Sequence, residues 1–241
     1  MSKHGQLMSG NPRLENEARS VALTGWLGSA RRAFSDALLQ AGTLKRFENG
    51  DVVYGLGQSQ DCLWCVASGL ARMWITMNEQ PPRFGHVAGP GFWFGEVEVT
   101  TKGPRIIEVE AHGDTVLLMV AGRDFRQIAS EFEDAWRELA RLAVANLALA
   151  IGAADDLMIR DPKQRLAAVL LRLASHRSAF QGVAPIPFIP ATQSEIAAAA
   201  NLSRASAAAI LAELVESGVI VTEYRRIRLT DPNRLKALVQ E

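Results

Sequence analysis

Residues 192–220 read TQSEIAAAANLSRASAAAILAELVESGVI. Thr192 followed by Glu195 is a capping box, the signature of a helix start. Ile196 and the alanines after it supply a small, closely packing face. Asn201 stands where a tight turn needs a residue tolerant of left-handed geometry, and Ser203 can cap a second helix. Ile210, Leu211 and Leu214 give that helix an apolar stripe, and Gly218 ends it. The stretch therefore predicts a helix–turn–helix, whose second helix presents its first turn to a DNA major groove. Of the residues in that turn, Arg204 alone can reach guanine O6 and N7 in a bidentate contact. Ser203, Ser206 and Thr192 can donate to phosphates. Downstream, Val219 to Leu229 reads as a hairpin whose tip, Tyr224-Arg225-Arg226, would act as a wing on the neighbouring backbone. Ala205, Ala207, Ala208 and Ala209 leave the reading face bare. That bareness motivates an alternative, a ligand-sensing or protein-interaction module that has lost specific DNA reading.

Immediately upstream, Asp161-Pro162 interrupts a long helical pattern, as proline suits the first turn of a new helix and not the interior of an old one. FQGVAPIPFIPA, after the helix that proline opens, is a proline-punctuated loop or edge strand. The pattern before Asp161 runs from about Arg123 to Ile159, and within it Leu139, Leu142, Asn146, Leu149 and Ala153 recur at coiled-coil spacing. They are the expected seam of a parallel dimer, with Asn146 fixing its register. Between about residues 43 and 120, short β-like runs broken by Asn49-Gly50-Asp51 and Gly89-Pro90-Gly91 predict an all-β barrel or jelly roll. Trp26 to Gln40 reads as a short amphipathic helix, and residues 1–22 as a polar, flexible tail.

The bulk properties narrow the class. The 241 residues are 48% hydrophobic, 22% charged and formally neutral, so charge alone announces no nucleic-acid partner. Residues 161–241 nevertheless hold ten Lys/Arg against seven Asp/Glu. No apolar run is long enough for a membrane span and the start lacks the apolar core of a secretion signal, so a cytoplasmic protein is expected. Cys62 and Cys65 in DCLWCVASG lie at positions i and i+3 of a strand, on opposite faces, and read as small apolar residues, with a CxxC redox pair as the alternative. The four histidines have no ligand spacing with them, so no metal is expected. Glu96, Glu98, Glu108 and Glu110 alternate as on the solvated face of a strand, with no nucleophile–base pair beside them, and no enzyme is expected.

The order of barrel, long helix, Asp-Pro hinge and helix–turn–helix with hairpin resembles the cyclic-AMP receptor protein (Crp/Fnr) family of bacterial transcription regulators. The resemblance spans about residues 40 to 235 and includes Phe94-Gly95-Glu96. It implies an α+β chain: a β jelly-roll effector domain of the cyclic-nucleotide-binding type over 23–122, a dimerisation helix over 123–160, and a winged helix–turn–helix over 161–241. It further implies a homodimer that binds a near-palindromic double-stranded operator and acts on RNA polymerase. The family's phosphate cassette aligns with FWFGEVEVTTKGPRIIEVEA. Gly95, Glu96 and Arg105 match it, but the small hydroxyl residue after the arginine is Ile106, and the loop is about one residue short. Positions that contact adenine in cyclic-AMP sensors align with Ala150 and Ile151, which offer no polar group. The resemblance therefore implies a small-molecule effector site, yet one that lacks the usual means of holding cyclic AMP. A different small molecule and no effector at all both stay open.

Overall fold

Asn49-Gly50-Asp51 forms a tight turn because Gly50 adopts φ +86°, a conformation without cost for glycine. It separates β2 (Thr43–Phe47) from β3 (Val52–Tyr54), and the turn is closed by Asp51 N–H donating to Glu48 O at 3.0 Å. The computed structural model describes residues 5–7, 12–76, 81–177 and 183–240. It divides into two compact units: Met1–Trp74 with Ala88–Leu147 and Phe180–Ala184, and Ile75–Val87 with Ala148–Ala179 and Pro185–Glu241.

The first unit is built on a β-roll. Its strands run β1 (Gln6–Leu7), β2, β7 (Ile107–Ala121), β4 (Cys62–Ile75), with β3 on β7 and β6 (Trp93–Phe94) on β4, while β5 (Arg83–Ala88) belongs for the most part to the second unit. β7 pairs with β2 through Thr115–Met119 and with β3 through Val109 and Glu110, so one long strand turns a corner of the roll. Residues 62–75, with a glycine in their middle, form the single strand β4, in which Gly69 takes φ +79°. Trp64, Trp93, Tyr54, Phe34 and Phe47 fill the core. Two helices cover it, α1 (Pro12–Ala22) and α2 (Arg32–Ala41), with a 3₁₀ turn at Trp26–Ser29 between them.

Helix α1 corrects the expectation of a flexible tail through residue 22. Ala18 and Ala22 are buried, an Arg13–Glu17 pair at 3.0 Å supports the outer face, and the Trp93 indole N–H donates to Ala22 O at 3.0 Å. The remainder of the tail, 1–4 and 8–11, lies outside the described residues, as does the start of FQGVAPIPFIPA.

The long helical stretch is also two helices: α4 (Gly122–Glu131) and α5 (Ala135–Met158). Phe132 turns extended, φ −118° and ψ 106°, and its ring packs edge-on to Phe34 at 6.1 Å. Glu131, Glu133 and Ala135 around it are good helix formers, and Asp134 just before α5 is the one residue nearby that favours a helix start.

The second unit carries α6 (Pro162–Leu173), α7 (Gln193–Ala199), α8 (Arg204–Glu216), the hairpin β8 (Ile220–Glu223) and β9 (Arg226–Leu229), and α9 (Pro232–Gln240). Asp161 caps α6 by accepting from Lys163 N–H at 2.9 Å and Gln164 N–H at 2.8 Å, with Pro162 in the first turn. Ile189 exchanges two backbone hydrogen bonds with Ile227, adding an edge to the hairpin. Within this unit Asp156, 1% exposed, is paired with Arg172 at 2.7 Å and with Arg177.

Candidate functional site

The capping box at the start of α7 forms in full. Thr192 Oγ1 accepts from Glu195 N–H at 3.2 Å, and Glu195 Oε2 accepts from Thr192 N–H at 2.7 Å and from its hydroxyl at 2.9 Å. Asn201 takes φ +50° in the turn. Ser203 then caps α8, its Oγ accepting from Ser206 N–H at 3.0 Å and lying 2.8 Å from Ser206 Oγ. Three small residues make the helix pair possible: Ala197, Ala200 and Ala207 are buried at 1%, 0% and 0%. Larger side chains there would drive α7 and α8 apart. Arg165 completes the joint, donating from Nε to Ala200 O at 2.8 Å and from Nη1 to Ile159 O at 2.6 Å. It thereby satisfies carbonyls that the helix ends leave open.

Outward at the start of α8 are its cap Ser203 and then Arg204, Ala205, Ser206, Ala208 and Ala209. The hairpin places a two-residue turn, Tyr224-Arg225, between paired Glu223 and Arg226. Arg225 has φ +54°, and Tyr224 is 89% exposed. The Arg226 guanidinium lies 4.5 Å from the Phe188 ring centroid, a cation–π contact that orients it. An exposed helix start with one arginine, and a hairpin whose tip carries two more, can take phosphates along a backbone and a base edge in a groove.

A second constellation lies in the β-roll, and half of it carries no local sequence signal. Gly95 ends β6 with φ +98° and opens α3 (Glu96–Thr101). A Cβ there would stand 2.6 Å from Cys62 O and 2.9 Å from Arg105 Nη1, so glycine is required on both counts. Glu96 and Glu98 sit on this short helix, buried at 7% and 1%, and not on the solvated face of a strand. The misreading has a plain cause: alternation of two acids over three residues does not distinguish a strand from one helical turn. Glu108 and Glu110 do lie on a strand, β7.

Arg105 points inward, 4% exposed, while Ile106 points to solvent at 59%. Arg105 Nε lies 2.9 Å from Glu98 Oε2, Nη1 donates to Gly95 O at 3.0 Å, and Nη2 donates to Cys62 O at 2.8 Å and to Gln60 O. Its plane rests against Tyr54, 4.3 Å from the ring centroid. Phe94 is buried beside Tyr54 at 6.1 Å. Burial holds the Glu96 carboxyl above its ordinary range; Asn146 and Arg105 oppose that shift. Burial also pushes the Cys62 thiol up to about 11 and raises the Cys65 thiol well above its ordinary value, which suits small apolar core residues and not a thiolate pair.

The expected seam of α5 is out of phase. Leu139 and Leu142 are 1% and 0% exposed, packed in the chain's own core, where Trp26 Nε1 donates to Glu138 O at 2.8 Å. Asn146 turns toward Trp93 O at 3.4 Å and supports Glu96, and Leu149 and Ala153 are half-buried. The exposed apolar line is instead Ala140, Val144, Leu147, Ile151, Ala154 and Met158, at alternating spacings of four and three. Val144, Leu147, Ile151 and Met158 are 64%, 58%, 60% and 79% exposed. Ala150 and Ile151, aligned with adenine-contacting positions, are both exposed. Two heptad phases fit the sequence, one begun by the buried Leu139 and Leu142 and one left exposed.

A family model described as the Crp-like helix-turn-helix domain matches residues 164–238, and one described as the cyclic nucleotide-binding domain matches residues 44–132. The chain is 29% identical over 174 residues to the cyclic AMP receptor protein of Thermus thermophilus, covering 72% of this chain and 77% of that one. It is 28% identical over 204 residues to the transcriptional regulator SdrP of the same species, covering 80% and 93%. The solved structure of FixK2 from Bradyrhizobium japonicum shares the fold, with a TM-score of 0.66 at 19% identity over 82% of this chain and 96% of that one. Among the described residues no helix is long and apolar enough to cross a membrane. With a cyclic-nucleotide-binding-type roll followed by a Crp-like DNA-binding domain, in the order its relatives keep, the chain belongs to the Crp/Fnr family of transcription regulators.

Proposed function

We propose that this chain works in the cytoplasm as a homodimeric, sequence-specific regulator that binds a near-palindromic operator and acts on RNA polymerase. In this reading residues 161–241 bind DNA, 123–160 join two copies, and the roll over 23–122 is a sensor whose effector is not cyclic AMP held in the usual way. The observation that carries the DNA part is the Ser203-capped start of α8, where Arg204 stands exposed in line with the small residues Ala205, Ser206, Ala208 and Ala209. Arg204 reads a base, Ser203 and Ser206 hold phosphates, and Arg225 and Arg226 clamp the flanking backbone. Thr192 contributes through the cap it makes for α7, its hydroxyl being engaged by Glu195. Dimerisation follows from the exposed apolar line on α5, which has the spacing of a two-stranded seam. A two-fold dimer then places half-sites about one helical turn, or a multiple of it, apart.

Selection from a random duplex pool with purified protein tests this. A two-fold symmetric consensus is expected. Arg204→Ala should weaken binding by about 1–3 kcal/mol and relax preference at one base pair per half-site. Equal affinity and an unchanged consensus for Arg204→Ala would overturn this assignment of the reading helix. The exposed alanines at 205, 208 and 209 favour a second reading, a sensing or protein-interaction module without specific DNA reading. Recovery of no enriched sequence from the pool selects it.

A further inference from the structure

We infer that Glu98 is a resident anion: its carboxylate occupies the place in the roll where an external oxyanion would be bound, so the site is complete without an anionic effector. Glu98 Oε1 accepts from Ser59 Oγ at 2.7 Å, and Oε2 accepts from Gln60 N–H at 2.8 Å and lies 2.9 Å from Arg105 Nε. A hydroxyl, a backbone amide and a guanidinium converging on one buried carboxylate are the donor set that recognises a phosphate or carboxylate ligand. The Nε–H is not aimed along the line to Oε2, so charge attraction carries that contact more than a directed hydrogen bond. Both side chains are sealed from water, at 2% and 3% exposure.

Burial makes the assignment specific. A guanidinium at this depth requires a negative charge beside it, and removing that partner leaves an uncompensated buried cation. Where a ligand provides the charge, the guanidinium is neutralised only when the ligand is bound. Here the chain provides it two residues into α3, and three of the four Nη donors of Arg105 are taken by the carbonyls of Gly95, Gln60 and Cys62. An incoming phosphate would meet the Glu98 charge and find both Nη2 N–H groups and one of the two on Nη1 already engaged. Glu98 is thus a specificity-determining residue that excludes phosphate-bearing ligands from the Arg105 site. The inference rests on reading the Phe94–Arg105 segment as the sensor's anion cassette, and its test involves no DNA, so it can fail independently of the DNA-binding role.

The test is anion rescue. Isothermal titration of the wild-type chain with cyclic AMP, cyclic GMP and inorganic phosphate should show no heat of binding at millimolar ligand. Glu98→Ala should lower Tm by roughly 6–20 °C. Formate, acetate or phosphate at tens of millimolar should restore part of that loss, against chloride at matched ionic strength, while wild type does not respond. In Glu98→Ala/Arg105→Ala the rescue should vanish. If Glu98→Ala does not fold, Glu98→Gln, which keeps the shape but not the charge, is assayed for the same anion-dependent gain. Micromolar binding of cyclic AMP or phosphate by the wild type overturns the inference, and so does a variant whose Tm is indifferent to the choice of anion.

Discussion

Leu142 and Leu147 lie five residues apart on α5 and distinguish the two possible seams. Leu147 is 58% exposed in the single chain, Leu142 0%. Leu→Ala removes three carbons, worth about 0.8 kcal/mol each when fully withdrawn from water, or about 2.4 kcal/mol. Scaled by the 58% of Leu147 that is open for a partner to cover, the loss is about 1.4 kcal/mol per copy. Two-fold symmetry doubles it to about 2.8 kcal/mol, roughly a hundredfold in dimer Kd. Leu142→Ala should leave that Kd nearly unchanged while lowering the stability of the folded chain by about 2–5 kcal/mol, since the cavity opens inside the chain's own core. Sedimentation velocity over a dilution series reads the first quantity, and urea denaturation reads the second. A dimer Kd unmoved by Leu147→Ala but raised by Leu142→Ala, at intact fold, would refute the assignment of the exposed line as the seam.

Thr192→Ala should cost about 1 kcal/mol of stability by removing the cap of α7, while Thr192→Ser retains most of it; thermal denaturation of the two variants makes the comparison. Gly218→Val should destabilise by more than about 1 kcal/mol in the same assay, because φ +72° is adverse for a β-branched residue even though nothing lies within 4 Å of its Cβ. Cys62, its thiol raised to about 11 by burial, is about one part in a thousand thiolate at pH 8. Alkylation followed by mass spectrometry should therefore find both cysteines unlabelled in the native chain and labelled after denaturation. The neutral buried thiol stabilises the fold fully below its ordinary pKa near 9, and that contribution is lost as pH rises toward about 11.

The DNA-binding half was legible because its signals are local. Thr192 with Glu195, Asn201, Ser203, Asp161-Pro162 and Gly218 each fix a backbone conformation within a few residues, and each is found doing so. The roll and α5 were legible only in kind. Whether Leu139 or Leu147 faces a second copy depends on which side of α5 the roll covers, a long-range fact that heptad spacing does not contain. The role of Glu98 was hidden for a similar reason. Its partners Ser59, Gln60 and Arg105 come from three places in the chain, and only folding brings them together. Phe132 broke a helix that its own neighbours would have continued, for the sake of a contact with Phe34 nearly a hundred residues earlier.

The bare outer face of α8 has a consequence for how such a protein changes its targets. Ala207 cannot be enlarged without parting the helices, but Ala205, Ala208 and Ala209 carry no packing duty. Alanine has the highest helix propensity, and arginine, glutamine and glutamate follow it closely, so each of these positions accepts a long polar side chain at a cost of a few tenths of a kcal/mol. New base preferences can therefore be written one residue at a time onto an unchanged scaffold. The same freedom makes these three positions the natural sites at which to retarget the protein by design.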